Sequence, residues 1–405
     1  MDNKYEGLRR ATLLIASTLT VMAGAIIAPA LPQISKEFSH IQGAELLSRL
    51  VLTLPALFMA ILAPLAGFFI DRSGRKTVLL ISLILYAIAG TSGLYLNSLE
   101  AILVGRAFLG IAVGGLITTV ITLIGDYFEG DQRSRFVGIQ AAFAGMGGLV
   151  FISSGGVLAD IHWRLPFAIY VTSLIVWVMA IISIYEPLKA TLKSTDSHDD
   201  KPSVVKMPSV AFLICGVALF SAIVFYMIPV QMPFMLNAQE GITNTEIGFA
   251  IAFVNVASVT TSLNYGKVKR RLSFEAIMGV VYLTVFTGFF IISRSESYIM
   301  MIVGIAISGL GFGLMMPNIN LWMISVAPPS LRGRMVGYLN TALFFGMFIS
   351  PVAIQPLIAI SSLYNSFFLI GLIMLIFAAM FFTLPQIVKK RDVSRINDLN
   401  GADDI

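Results

Sequence analysis

Charge is what this sequence has least of. Only 12% of its 405 residues are Asp, Glu, Lys or Arg, while 57% are hydrophobic. A soluble domain carries about twice that charged fraction. So few charges cannot cover a surface that faces water, and hydrocarbon is the solvent that suits the chain. Cysteine is nearly absent: Cys215 stands alone, which excludes an internal disulfide and a multi-cysteine metal site. The three histidines (His40, His162 and His198) fall near the ends of apolar runs or between them, so no intramembrane histidine cluster exists. No nucleophile–base pair or metal-ligand cluster stands out, which argues against an enzyme and against a bound metal or cofactor. No nucleotide-binding glycine loop is present, so ATP does not drive this protein directly. The net charge of +5 would suit a nucleic-acid partner, but its distribution points elsewhere.

What fills the sequence is apolar runs of about 20 residues, each long enough to cross a bilayer core of roughly 30 Å. Twelve are read, at 11–31, 46–69, 77–96, 99–124, 136–158, 165–185, 208–235, 246–266, 274–293, 298–325, 335–358 and 365–385. The first is of spanning length and contains Pro29, so it is read as helix one rather than as a cleaved leader. The segment 186–207, EPLKATLKSTDSHDDKPSVVKM, is the one long hydrophilic interior stretch. It divides the chain into a bundle over 1–185 and a second over 208–388, followed by a tail over 389–405. If the N-terminus is cytoplasmic and the runs alternate, 22 of the 27 Lys and Arg fall on the cytoplasmic side. Only Lys36, Arg164 and Arg294 fall on the other, and Arg49 and Arg106 lie inside spans. This is the positive-inside pattern, and it replaces the nucleic-acid reading with a topology: both termini cytoplasmic, in a cell (inner) membrane.

The two halves repeat. At an offset of 199 residues Gly67 falls on Gly266, Gly105 on Gly304, Gly110 on Gly309, Gly114 on Gly313 and Gly147 on Gly346. The same offset lays Arg133-Ser-Arg-Phe-Val-Gly138 over Arg332-Gly-Arg-Met-Val-Gly337. A two-fold internal repeat marks secondary transporters, whose substrate binds between the halves near the midplane. The fold expected is therefore an all-α membrane protein, with twelve transmembrane helices in two pseudo-symmetric six-helix bundles.

The loop after the second span reads Gly67-Phe-Phe-Ile-Asp71-Arg72-Ser-Gly74-Arg75-Lys76. A glycine ends one helix, an acid follows, a second glycine makes the turn, and basic residues open the next helix. Asp71 can face a helix N-terminus or an arginine across the interface between halves. Arg72, Arg75 and Lys76 can reach carboxylates at neighbouring helix ends, with Asp126 and Glu129 as natural partners. The cluster is expected to act as a conformational latch on the cytoplasmic side. Its plainer reading is a basic turn obeying the positive-inside rule.

In these residues the chain resembles the major facilitator superfamily, whose loop-two signature G-x-x-x-D-R-x-G-R-K is met at every fixed position. Arg106-Ala-Phe-Leu-Gly110 matches the family's second signature, R-x-x-x-G. The second-half counterpart of the loop keeps Gly266, Lys267, Lys269, Arg270 and Arg271 but has no acid, so an asymmetric latch is expected. The resemblance implies a role for Arg106 in proton transfer or in holding helices one and four together. An arginine near a helix centre costs about 2.5–3.5 kcal/mol on insertion scales, and snorkelling to the interface is the alternative. Arg49, one turn after Glu45, is read as an interface feature. Drug:proton antiporters of the superfamily carry G-x-x-x-G-P-x-x-G-G in helix five. Gly147, Gly155 and Gly156 fit that frame, with Phe151-Ile152 in place of the central Gly-Pro.

No Asp or Glu lies in the body of any span. Asp71, Asp126, Asp160, Glu186, Glu240 and Glu246 stand at ends or in loops, so a raised-pKa carboxyl of the kind that carries protons in membranes is not provided. Residues that can face a pocket are Thr20 and Gln140 in the first half, and Tyr226, Gln231, Asn255, Asn318, Asn320, Trp322 and Asn340 in the second. Each can equally form interhelical hydrogen bonds. The 19 Met and 29 Phe suit a deformable lining. The reading reached is a monomeric carrier for a small amphipathic organic molecule, a multidrug efflux antiporter coupled to protons. A specific uptake carrier or uniporter and a transport-inactive membrane sensor are its rivals.

Overall fold

A computed structural model describes residues 5–186, 209–328 and 331–400, with the side chains at 63–69, 71, 134 and 384–400 left out of the description. Among the described residues the chain is helical throughout, with twelve helices long and apolar enough to span a membrane. They are α1 (Glu6–Glu37), α2 (Ala44–Ser73), α3 (Arg75–Tyr95), α4 (Leu99–Tyr127), α5 (Gly130–Ile161) and α6 (Leu165–Ser183). After the linker come α7 (Ser209–Asn237), α8 (Asn244–Leu263), α9 (Phe274–Ser293), α10 (Tyr298–Val326), α11 (Arg332–Ile360) and α12 (Leu363–Asn400). Every expected span has its helix. The linker expected at 186–207 lies outside the described residues except for Glu186.

The helices overrun the apolar signal at their ends, and local chemistry explains it. The polar stretch Gly130–Arg135 is already helical, and α12 continues through its basic end to Asn400. The 29 residues of α4 amount to about 43 Å, beyond a core of roughly 30 Å. Helix starts carry caps: Ser98 accepts from the Ala101 N–H (3.3 Å) and Ser273 from that of Ala276 (3.2 Å). Gly43 (φ +78°) and Gly74 (φ +86°) hold the positive-φ positions that open α2 and α3, where a Cβ would be strained. α1 breaks after Ala25, with a short 3-10 turn at Ala28–Ala30. Pro29 and Pro32 remove backbone donors there.

Polarity is distributed as lipid requires. Ile81, Ile175, Phe212 and Ile299 are more than half exposed, while Arg49, Arg106, Gln231 and Asn318 are fully buried. A water-facing protein shows the reverse.

By packing, the described residues fall into two compact units, Met1–Ala252 with Met323–Pro356, and Phe253–Trp322 with Leu357–Ile405. In the first, α4 packs on α2 and α3, and α5 on α1. In the second, α9 packs on α12. Both units build their closest contacts from glycine, and the 199-residue offset relates them. A Cβ at Gly110 would stand 2.4 Å from the Pro55 carbonyl oxygen; at Gly309 it would stand 2.7 Å from that of Val254. Gly114 approaches Met59, and Gly313 approaches Ser258. Each partner is displaced by the same 199 residues as its glycine, so the repeat is a repeat of interhelical contacts, and small residues permit them.

Candidate functional site

Arg106 is the centre of the first bundle. It is 0% exposed, which removes the snorkelling alternative. Its guanidinium donates to three acceptors on three other elements: the Val51 carbonyl of α2 (2.9 Å), the Tyr170 hydroxyl (3.0 Å) and the Ala23 carbonyl of α1 (2.5 Å). The Ala23 carbonyl belongs to the last turn before the break in α1, where carbonyls lose their intrahelical partners. The Tyr170 hydroxyl donates to the same oxygen at 2.8 Å. Nearby, the Tyr86 hydroxyl donates to Leu19 O (2.6 Å), and the Tyr86 and Tyr170 rings lie 5.5 Å apart. Arg106 thus ties α1, α2, α4 and α6 through dipoles, with no ion pair among the described residues. Tyr86 and Tyr170 carried no sequence signal; only the fold brings them beside Arg106.

Arg49 forms the pair with Glu45 that the sequence offers, and its own side chain is fully buried while that of Glu45 is exposed. One guanidinium nitrogen pairs with Glu45 (2.5 Å), another donates to Gln355 Oε1 of α11 (2.7 Å), and the group lies over the Phe234 ring at 4.6 Å.

In the loop after α2, Arg75 Nε meets Asp126 Oδ2 at 3.1 Å, the pairing expected from the sequence. Glu129 sits at the N-cap of α5 without a side-chain cap bond. Glu186, which the sequence shows only as a helix-end acid, accepts the Arg75 and Lys76 N–H groups, both at 2.8 Å. It thereby fills the first two donors of α3, where an anion is favoured. Lys76 Nζ donates to Ile181 O (2.9 Å), and Arg72 is exposed. Gly67 lies within helical α2, and the Asp71 side chain lies outside the described residues.

The α5 glycines are contact points. A Cβ at Gly147 would stand 2.8 Å from Thr18 Cβ; at Gly155, 2.0 Å from Ile26 O; and at Gly156, 2.4 Å from Asn244 O. Gly147 and Gly155 therefore seat α5 on α1, and Gly156 seats it on α8.

The profile of the Major Facilitator Superfamily matches residues 13–351, with a second match over 214–399. The chain belongs to this superfamily. It is a multi-pass membrane transporter of the secondary type, and its fold is that of facilitators. The bacillibactin exporter of Bacillus subtilis (strain 168) is 24% identical over 360 residues, 84% of this chain and 87% of that protein. Multidrug resistance protein 1 of the same organism is 21% identical over 323 residues, 78% and 81% of the two chains. A bacterial homologue of the human lysosomal transporter Spinster, solved inward-facing and occupied, superposes with a TM-score of 0.74 at 18% identity, covering 95% of this chain and 97% of that one.

Within this facilitator the expected pocket residues divide. Gln140 Nε2 donates to Ser17 Oγ (2.9 Å), so α5 and α1 share that polar link, and Thr20 bonds back to Ser17 O (2.7 Å). The Tyr226 hydroxyl lies 3.5 Å from where a Cβ on Gly24 would be. Gln231 is fully buried and neither of its amide atoms has a partner. Asn318 is taken up structurally: it accepts from Tyr265 (3.1 Å) and donates to Phe274 O (3.0 Å). Burial pushes the Tyr265 phenol above its ordinary pKa, which keeps it a donor. Asn320 bonds its own helix at Met316 O (2.9 Å). Trp322 is buried and stacks on Phe274, with ring centroids 6.0 Å apart. Asn255 and Asn340 are half-buried.

Proposed function

We propose that this facilitator exports a small amphipathic organic compound from the cytoplasm in exchange for protons, working as a monomer in the cell membrane with both termini inside. The observation that carries the reading is the seating of α5 on α1 and α8 through Gly155 and Gly156, the two closing glycines of the antiporter signature. Similarity to a bacillibactin exporter and to a multidrug resistance protein of Bacillus subtilis and the positive-inside census support it. The pocket proposed is lined, within the first compact unit, by Gln231, Tyr226, Thr20, Gln140 and Asn340 with a Met- and Phe-rich surround. Such a surround binds by shape and dispersion rather than by charge. Arg106, held only by dipoles, is the charged group proposed to take part in coupling, together with Gly110, which brings α4 onto α2.

The test is flux in proteoliposomes, with and without an imposed pH gradient. Accumulation of an amphipathic cation such as ethidium on the acidified side, abolished by a protonophore, is the expected result. Flux indifferent to the gradient ends the proton-coupled reading in favour of uniport. Phe151-Ile152 in place of Gly-Pro, and the lack of an embedded acid, favour that second reading. Absence of flux for every compound tested favours a membrane sensor.

The loop after α2 is proposed to latch the cytoplasmic side, with Asp71 the acid that engages and Arg75–Asp126 the pair that positions the loop. Asp71→Asn is expected to insert normally yet transport on the order of tenfold more slowly, equivalent to about 1.4 kcal/mol. Wild-type rates at equal expression would remove the latch.

A further inference from the structure

α8 begins with a capping box. Thr243 Oγ1 accepts the Glu246 N–H (3.2 Å), and Glu246 Oε2 accepts the Thr243 N–H (2.8 Å). The Ile247 N–H bonds to Thr243 O (3.1 Å). A box of this kind serves the third helical donor and leaves the first two, those of Asn244 and Thr245, to be satisfied from elsewhere. Both go to one carboxylate on another helix. Asp160, in the last turn of α5, accepts the Asn244 N–H at 2.7 Å on Oδ1 and the Thr245 N–H at 3.1 Å on Oδ2. The Asn244 side-chain amide adds a third bond to Oδ1 (3.0 Å), and the Thr245 hydroxyl a fourth to Oδ2 (2.5 Å). Asp160 stands one turn beyond Gly156, whose missing side chain admits Asn244 O, and Gly248 meets Gly156 Cα one turn further into α8.

The 199-residue repeat identifies what kind of contact this is. Adding 199 to Gly156 gives Gln355, and adding 199 to Arg49 gives Gly248. The Gly156–Gly248 approach and the Arg49–Gln355 hydrogen bond are therefore symmetry mates, one joining α5 to α8 and the other α2 to α11. Both link a first-half helix to a second-half helix near the α1–α2 and α7–α8 turns. Glu186 uses the same chemistry on α3, but within one half, so its contact need not break when the halves rock. That of Asp160 runs from a first-half helix to a second-half one. The symmetry position of Asp160 is Ala359, so the carboxylate clasp exists on one side of the pseudo-two-fold only.

We propose that Asp160 is a positioning residue that latches the outer end of the carrier, clamping α5 to the N-terminus of α8. Its four-fold engagement has to be released in each cycle for that end to open. The inference rests on the export reading above, carried out by halves that rock about the site in alternating access, but not on any substrate or coupling ion. Charge is the working element: an anion at a helix N-terminus is favoured by the dipole and by charge-assisted hydrogen bonds. An asparagine keeps an acceptor while losing both.

The test is the distance across this end in the full-length protein. Spin labels are placed at His40→Cys and Glu240→Cys, in the exposed α1–α2 and α7–α8 turns, on a Cys215→Ala background. Double electron–electron resonance reads the separation in proteoliposomes. Asp160→Ala is expected to enlarge the long-distance, outward-open population about tenfold, a change of the size that losing an N-cap anion gives. Asp160→Asn and Thr245→Val are expected to give smaller shifts in the same direction. If Asp160→Ala does not yield folded protein, Asp160→Asn alone decides. A distance distribution unchanged from the parent in the folded variants overturns the latch. A shifted distribution in a protein without flux would sink the transport reading and leave the latch standing.

Discussion

Arg106→Ala is expected to abolish transport and to lower stability by on the order of 2–4 kcal/mol, because it leaves the Val51 carbonyl without a donor, takes one of two donors from Ala23 O and removes the donor to the Tyr170 hydroxyl in a buried site. Val51 O, Ala23 O and the Tyr170 hydroxyl all draw a proton from the one guanidinium. The Ala23 oxygen cannot recover an intrahelical partner, because α1 has already broken. Arg106→Lys is expected to recover only part of both losses, since an ammonium on a flexible stem does not reproduce the planar fork that meets α1, α2 and Tyr170 together. Tyr170→Phe makes the contrast. It removes the bond to Ala23 O and the acceptor for Arg106 NH1 but keeps the other two donations, so it should cost about 1 kcal/mol. The measurements are thermal unfolding in detergent and flux at matched expression. Wild-type stability in Arg106→Ala would mean that the arginine is not the tie between α1, α2, α4 and α6.

The second large effect is expected at Gly155. Its Cβ would stand 2.0 Å from Ile26 O and 3.0 Å from the carbonyl carbon, both backbone, so no rotamer change relieves the clash. Gly155→Val should push α5 off α1 and reduce flux by at least about tenfold, with a cost in stability of about 1–3 kcal/mol from overpacking. Gly138, on the same helix with nothing within 4 Å of its Cβ position, is the control. Gly138→Ala should be neutral or stabilise by about 0.5–1 kcal/mol. Equal flux in the Gly155 and Gly138 variants would refute the claim that close α1–α5 seating matters to the cycle.

Two arginines with similar sequence credentials had different fates. Arg106 announced itself through the R-x-x-x-G pattern ending at Gly110. Arg49 had only Glu45 beside it, and the ion pair that this spacing suggests is present. Its burial depends on Phe234 and Gln355, residues about 185 and 306 positions away, which no local pattern can bring together. Glu186 and Asp160 were both visible as helix-end acids, but visibility did not assign them. Glu186 counts because α6 ends beside the start of α3, and Asp160 because α5 ends beside the start of α8. The Asp126 partnership was legible because a short basic turn between α2 and α3 has few carboxylates within reach. The opposite outcome met Asn318: a polar residue in an apolar run reads as a pocket residue, yet Tyr265 and Phe274 claim its amide.

Taken alone, the sequence determined the number of spans, their order and the two-fold repeat. Those follow from terms that act locally or additively: transfer of apolar side chains into hydrocarbon, and glycines spaced for helix contact. The tertiary structure alone decided which carbonyls Arg106 satisfies, that Arg49 is buried, and which helix N-termini receive the carboxylates of Glu186 and Asp160. Those are matters of pairing across distant segments. In a medium without water every backbone donor and acceptor must find a partner inside the protein, and which partner it finds is set by where the helices meet.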